Sequence, residues 1–107
     1  MIRGTTPTFT FTIRNEDIDL GAAENVYVTL AQGSKLIEKT GTDLEIETRT
    51  VSVFLTQKES LQLLEGSNCE VQINWTYLDL DGTTVRRAAT KVKSIPISKQ
   101  LLRREIQ

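Results

Sequence analysis

Histidine is absent from this chain of 107 residues, and cysteine occurs only once, as Cys69. Without histidine the sequence excludes a Ser-His-Asp triad and, with one cysteine, a zinc site built from nitrogen and sulfur ligands. A single cysteine cannot form an internal disulfide, so a disulfide-stapled secreted domain is not indicated. Glu70 follows Cys69 directly, and an adjacent carboxylate opposes formation of the reactive thiolate. We therefore predict a structural cysteine and no enzymatic activity.

Glycine, proline and long apolar runs are also scarce. The six glycines occur singly, so no glycine-rich loop is present to cradle a phosphate. No apolar run approaches the roughly 18 residues of a membrane span, and the N-terminus lacks the apolar region of a signal peptide. Two acidic groups, one at Glu16, Asp17 and Asp19 and one at Asp79 and Asp81, are expected to be solvated turns. We predict no metal, no cofactor and no membrane association.

Charge is distributed unevenly along the chain. Residues 1–84 carry 6 basic and 13 acidic side chains, a net charge of −7, whereas residues 85–107 carry 7 basic and 1 acidic, a net charge of +6. Two interpretations remain open: the two parts attract each other or face water, or the basic part meets an anionic partner such as a nucleic acid. No aromatic residues interleave with the basic ones, so stacking on single strands is not indicated. The candidate interaction residues are Arg86, Arg87, Lys99, Arg103 and Arg104.

Period-two alternation of apolar and polar residues dominates the chain and predicts strands. The alternation is clearest at residues 8–13, 26–30 and 70–77. Trp75 and Tyr77 share a face with apolar neighbours, so we expect both to lie in the core rather than on an exposed platform. The predicted core consists of Phe9, Phe11, Val28, Val53, Ile73 and Trp75.

Turn signals divide the alternating segments. Gln32-Gly33-Ser34 and Asp81-Gly82 each predict a hairpin turn. Residues 44–55 contain either one bent strand or two strands. Residues 85–97 are predicted to return as one long strand, which its proline closes or places at an edge.

One segment shows the spacing of a helix instead. Thr56 and Glu59 have the spacing of a capping box, in which each side chain binds the other residue's backbone N–H. Leu61 and Leu64 follow at helical spacing. The segment predicts a short helix of about two turns near residues 57–65.

About seven short strands and one short helix predict an all-β protein with the layout of a β-sandwich. The length fits a single domain. We assign residues 1–97 to the sandwich and residues 98–107 to a basic C-terminal tail, for which the sequence leaves a helix, a strand and a disordered tail open.

The chain resembles a family of small proteins encoded in prophages of Gram-positive gut bacteria. The matching stretches are residues 3–8 (RGTTPT), 28–32 (VTLAQ), 37–39 (IEK), 53–61 (VFLTQKESL), 71–75 (VQINW) and 81–82 (DG). The layout is similar to the immunoglobulin-like N-terminal domain of phage baseplate upper proteins. The resemblance implies an immunoglobulin-like antiparallel sandwich of phage origin, located in the host bacterial cytoplasm or in the virion.

Two functions follow as expectations. The first is a non-catalytic structural or assembly module of the virion, at the head–tail junction or baseplate, which binds a phage structural protein or itself. The alternative is a phage-encoded inhibitor of a bacterial defence system, of the anti-CRISPR type, which binds a host nuclease or its nucleic acid. In both cases the expected activity is macromolecular binding.

Overall fold

The alternating segments of the sequence form a structure made almost entirely of strands. The computed structural model describes residues 1–14 and 18–99, and within them eight strands form two antiparallel sheets. The predicted all-β sandwich is confirmed. The elements are β1 (Thr8–Thr12), β2 (Asn25–Gln32), β3 (Lys35–Thr40), β4 (Leu44–Ile46), β5 (Thr50–Phe54), α1 (Gln57–Leu61), β6 (Asn68–Leu78), β7 (Val85–Ala89) and β8 (Lys93–Pro96), with short 3-10 helices at Leu20–Ala22 and Gly41–Asp43.

The order of strands in the two sheets is immunoglobulin-like. One sheet has the order β1-β5-β4, and the other has the order β3-β2-β6 with β7 and β8 both paired to the far edge of β6. Taken along the chain, β1 to β7 occupy the places of strands B, C, C′, D, E, F and G of an immunoglobulin sandwich. The buried tryptophan lies on β6, in the place of strand F, rather than on strand C as in antibody domains.

The core lies between the inner faces of the two sheets. Of the six residues predicted for the core, Val28, Val53, Ile73 and Trp75 are buried. Phe9 and Phe11 pack against the core but are only half-buried, because β1 is the last strand of its sheet. The core is completed by Leu20, Val26, Leu30, Ile37, Leu44, Val51, Leu55, Leu63, Cys69, Val71 and Ile97.

The strand directions give the sandwich two different ends. At the end that we call the hairpin end, the Ile13 N–H donates to the carbonyl of Arg49 at 2.8 Å and the Leu20 N–H donates to that of Thr48 at 2.7 Å. The opposite end, which we call the helix end, contains α1. The hairpin end comprises residues 13–14, 18–24, 47–49 and 79–84, and the helix end comprises residues 1–7, 56–67 and 95–98.

The predicted capping box at the start of α1 is confirmed. The Thr56 hydroxyl accepts the Glu59 N–H at 3.2 Å, and Glu59 Oε1 accepts the Thr56 N–H at 2.9 Å. The same carboxylate oxygen lies 2.7 Å from Nζ of Lys39, which pairs in register with buried Val28 on the core side of β3. Burial alone raises the pKa of Glu59, but the hydrogen bonds from Lys39 and Thr56, with the charge of Lys39, outweigh it and lower the pKa from its usual value.

The helix is shorter than the predicted two turns because side chains from other elements take its backbone groups. Arg3 donates from Nε to the carbonyl of Leu63 and from Nη2 to that of Leu61, both at 2.7 Å. The Gln32 amide donates to the carbonyl of Leu64 at 2.8 Å and accepts its N–H at 2.5 Å. Backbone groups bound in this way do not continue the helical ladder. The segment therefore turns after α1, burying Leu63 and leaving Leu64 63% exposed.

The long strand predicted for residues 85–97 is two strands joined by a β-bulge. Ala89 pairs with Asn74, and Lys93 pairs with Val71, so three residues of the edge lie opposite two residues of β6. An extra residue of this kind bends a strand and interrupts its ladder. The prediction of one regular strand was therefore wrong.

Thr90 holds the bulge in place. Its N–H donates to the Ile73 carbonyl at 2.9 Å, and its hydroxyl accepts the Ile73 N–H at 3.1 Å. Its carbonyl accepts the side-chain amide of Gln72 at 2.9 Å. The hydroxyl thus replaces a backbone acceptor that the bulge removes.

The bulge also inverts the alternation of side chains along the edge. Ala88 pairs with Trp75 and Ile95 pairs with Cys69, so both face the core although they are an odd number of residues apart. In an unbroken strand, two such residues lie on opposite faces. Both ends of the last strand region therefore contribute to the same core.

Candidate binding surface at the hairpin end

The β6–β7 hairpin projects beyond the rest of its sheet. The pairing of β2 with β6 ends where Asn25 meets Thr76, whereas β6 and β7 continue to pair as far as Leu78 and Val85. We call residues 77–86 the hairpin arm. Because the arm extends past the neighbouring strand, its side chains are not covered by the sandwich.

Asp79 fixes one side of the turn at the tip of the arm. Its Oδ1 accepts the Leu80 N–H at 2.8 Å, and its Oδ2 accepts Arg86 Nε at 2.9 Å and lies 2.8 Å from Arg86 Nη2. The Leu80 N–H and the hydrogen bond and charge of Arg86 lower the pKa of Asp79, and Asp79 in turn raises that of Arg86. The charge of Arg86 is therefore paired within the arm.

Asp81 fixes the other side of the turn. Its Oδ2 accepts the Thr84 hydroxyl at 2.6 Å, and its Oδ1 accepts the N–H groups of Thr83 and Thr84 at 2.9 Å each. These bonds lower the pKa of Asp81 to about 2. Gly82 completes the turn with a φ of 72°, in the left-handed region that favours glycine. The acceptors of the acidic pair are thus used to shape the turn, in accord with the prediction of a solvated turn.

This ordered turn presents apolar side chains to solvent. Leu80 at the tip is fully exposed, with a relative accessibility of 104%, and Tyr77, Leu78 and Val85 are also exposed. The prediction that Tyr77 lies in the core was wrong, because β6 extends there beyond the opposite sheet. Apolar residues grouped on a projecting turn are typical of surfaces that bind a partner.

A groove of about 540 Å³ lies between the arm and the loop that precedes β2. Trp75 and Ala88 line it from the sheet, Ile18 and Ala22 from the loop, and Tyr77 from the arm. In immunoglobulin variable domains, the loops that correspond to this loop and to the β6–β7 turn carry binding residues at one end of the sandwich. The groove continues onto the face of the arm that carries Tyr77, whereas Val85 lines a separate pocket with Arg87 on the other face.

The basic residues predicted as an interaction site do not gather in one place. Arg86 and Arg87 are adjacent on β7, pair with Tyr77 and Thr76 respectively, and so lie on opposite faces of the sheet. Lys99 is exposed beyond the helix end, at the other end of the molecule. Arg103 and Arg104 lie outside the described residues, as does most of the predicted basic tail.

Cys69 is buried in the core, as predicted, and burial raises the pKa of its thiol. Of the other acidic group, Glu16 and Asp17 lie outside the described residues, and Asp19 Oδ1 accepts the Gly21 N–H at 2.9 Å as the cap of a 3-10 helix. Among residues 1–14 and 18–99, no three His, Cys, Asp or Glu side chains are grouped closely enough to hold a metal ion. No helix in the described part of the chain has both the length and the apolar character to cross a membrane.

Comparison of the chain with protein-family models, with curated proteins and with solved structures finds no match. The resemblance to a prophage family therefore stays a prediction.

Proposed function

We propose that the protein is a non-catalytic binding module and that its hairpin end binds another protein. The observation that carries this proposal is the hairpin arm, which holds Leu80 fully exposed on a turn fixed by two carboxylates. An ordered loop loses little conformational entropy when a partner binds it, and more of the contact energy remains as affinity. Exposed apolar side chains beside an open groove supply the contact area.

The charges at the hairpin end favour a protein over a nucleic acid as the partner. Arg86 is neutralised by Asp79, and Asp19 and Glu24 line the groove. Binding of a polyanion depends on unpaired basic side chains that displace counterions from phosphates. Arg14 and Arg49 also lie at the hairpin end, but they line a different pocket together with Glu47. Around the arm and the groove, the surface is apolar with an acidic margin instead.

Within this activity, we propose a structural or assembly role in a phage particle, in the host bacterial cytoplasm or the virion. The sequence resemblance to prophage proteins supports the phage origin. A β-sandwich that holds a rigid projecting arm is suited to joining protein subunits, since folds of this class carry binding loops on a fixed scaffold. A protein of the virion is thus the proposed partner.

The test is affinity capture from two samples, disrupted phage particles and lysate of the host bacterium, with bound proteins identified by mass spectrometry. Leu80→Ser removes the exposed apolar contact at the tip and should reduce capture about tenfold or more, as expected for a central interface residue. Leu36→Ser is the matched control, because Leu36 is 66% exposed at the start of β3, near the helix end. This control should bind as the unaltered chain does.

Three results would count against the proposal in different ways. Equal capture by both leucine variants would show that the arm is not the binding surface. Absence of the protein from washed virions, together with no captured virion protein, would contradict the assembly role. Capture of a host nuclease that Leu80→Ser abolishes would instead favour inhibition of a defence system.

A further inference from the structure

A second surface of the molecule, the outer edge of β1, has the properties of a pairing site. β1 pairs only with β5 among the described residues, and no strand of residues 1–14 and 18–99 lies beside its other edge. Phe9 and Phe11 pair in register with fully buried Val53 and Val51 but are themselves only half-buried. The core is therefore incompletely covered along this edge.

The other edges of the sandwich carry features that discourage pairing, and β1 does not. The β7–β8 edge is interrupted by the bulge, and Lys93 lies on its core-facing side opposite Val71 yet is exposed. The β3 edge carries Lys35 and Lys39, and β4 is only three residues long. Bulges, charged side chains and short strands all protect an edge from adding another strand. The sequence of β1, Thr-Phe-Thr-Phe-Thr, contains none of these devices.

The hydrogen bonds between β1 and β5 determine which backbone groups of β1 point towards the outer edge. The Leu55 N–H donates to the carbonyl of Pro7, and the Ile13 N–H donates to that of Arg49. Since hydrogen-bonded and free positions alternate along an antiparallel pair, Phe9 and Phe11 bond to β5, and the backbone groups of the three threonines point away from the sheet. Three residues of β1 thus offer N–H and C=O groups that no strand in the described part of the chain uses.

The sequence of β1 reads the same in both directions about Thr10. In an antiparallel pair of two such strands centred on Thr10, Thr8 lies opposite Thr12 of the second copy, and Phe9 lies opposite its Phe11. Every threonine is then in a hydrogen-bonding position, and every phenylalanine lies on the core side. The symmetric sequence and the positions of the outward-pointing backbone groups therefore both favour the register centred on Thr10.

We propose that β1 pairs with β1 of a second copy of this chain about a two-fold axis through Thr10. The contact is isologous, as in most homodimers, because each copy offers the same surface. The two three-stranded sheets join into one of six strands, and each copy covers the half-buried phenylalanines of the other. This dimer surface is separate from the hairpin end, so the two proposals fail independently.

The first test is sedimentation equilibrium of the full chain over about a hundredfold range of concentration, because dimerisation depends on concentration. The unaltered protein should show a monomer–dimer equilibrium. Thr10→Pro removes an N–H that β5 does not use, and proline is tolerated on edge strands; it should weaken the dimer about tenfold or more. Thr10→Val keeps the N–H and should still dimerise. A strictly monomeric protein, or a dimer unaffected by Thr10→Pro, would overturn the proposal.

The second test is disulfide cross-linking, which remains informative if Thr10→Pro does not fold. Thr10→Cys places two cysteines opposite each other with Cα atoms about 5.5 Å apart, within the range that a disulfide spans. Thr8→Cys is the matched control, because its two copies would lie about 13 Å apart along the strands. Thr10→Cys should form a covalent dimer, whereas Thr8→Cys alone and the unaltered chain with buried Cys69 should not. Equal cross-linking at both positions would reject the proposed register.

Discussion

The two ends of the sandwich use their side chains in opposite ways. At the helix end, polar side chains are turned inward: Gln32, Lys39 and Ser60 are buried and bind the segment around α1 or the chain near the N-terminus. At the hairpin end, apolar side chains are turned outward, and Leu80 has no cover at all. The difference separates the region that stabilises the fold from the region that we propose for binding a partner.

This division has a physical reason. A buried polar group stabilises the fold only while its partner is present, so removing one partner leaves the other unsatisfied. An exposed leucine contributes little to folding, and its replacement is usually neutral for stability. Removing a buried polar side chain at the helix end should therefore affect folding, whereas removing the exposed leucine at the tip of the arm should affect binding.

The largest expected effect is that of Gln32→Ala. Its amide binds both backbone groups of Leu64, and the loss leaves two polar groups without partners, which should lower the free energy of unfolding by about 2–4 kcal/mol. Chemical denaturation followed by the fluorescence of buried Trp75 measures the change. Gln62→Ala, at an exposed position of the same segment, is the control and should stay within about 0.5 kcal/mol. Equal losses in both variants would contradict the role given to Gln32.

A smaller effect is expected from Gly82→Ala at the other end. An alanine at a φ of 72° meets no neighbouring atom, so only the backbone conformation opposes it, at about 1–2 kcal/mol. Gly82→Asn is the matched control, since asparagine tolerates the left-handed region better. Thermal unfolding should rank the unaltered protein above Gly82→Asn and that variant above Gly82→Ala. If Gly82→Ala is as stable as the unaltered protein, residue 82 does not require the left-handed backbone conformation.

The smallest effect is a change in pH dependence at the helix end. The pKa of Glu59 is lowered in the folded protein, so folding favours the charged carboxylate. The stabilisation is complete above the usual pKa of 4.5 and is lost as the pH falls through the lower folded value. Glu59→Gln should reduce stability by about 1 kcal/mol at neutral pH and make no difference in strong acid.

The control for this prediction is Glu38→Gln, an exposed glutamate beside Lys39 on β3. Stability curves measured from pH 7 downward should converge for Glu59→Gln and the unaltered chain, and those of the control should coincide throughout. A Glu59→Gln difference that does not vary with pH would show that the Lys39 pair does not stabilise α1 through charge.

Much of the fold could be predicted from the sequence because burial imposes a period of two on its central strands. Val28 and Ile73 alternate with polar residues and lie in the core as expected. The capping box was visible for a similar reason, since it depends only on Thr56 and Glu59 at a fixed local spacing. Local patterns of this kind do not depend on distant contacts.

Features that depend on distant contacts were not predicted. The end of α1 is set by Arg3 and Gln32, which lie far from it in the sequence. Nothing in the local sequence around Thr90 marks the bulge, because no glycine or proline stands there.

The sequence contains a signal for the hairpin arm, and it also contains an argument against a single basic site. Apolar Leu78 and Leu80 stand at a turn where polar residues are expected, which is the signal for the arm. Arg86 and Arg87 are neighbours on a strand, and adjacent strand residues face opposite ways. The sequence alone therefore contained an argument against their forming one site.

The bulge shifts by one residue the pattern of inward-facing and outward-facing side chains in β7 and β8. Upstream of it, even-numbered Ala88 faces inward, whereas downstream odd-numbered Ile95 and Ile97 do so. If a relative lacks the extra residue, its core positions match those of this chain only when the alignment contains a one-residue gap at the bulge. After that gap, inward-facing residues are again aligned with inward-facing residues. Alignments of distant relatives should therefore be scored with that gap allowed between residues 89 and 93, where an ungapped comparison anchored on β7 would match exposed Ser94 and Pro96 to core positions.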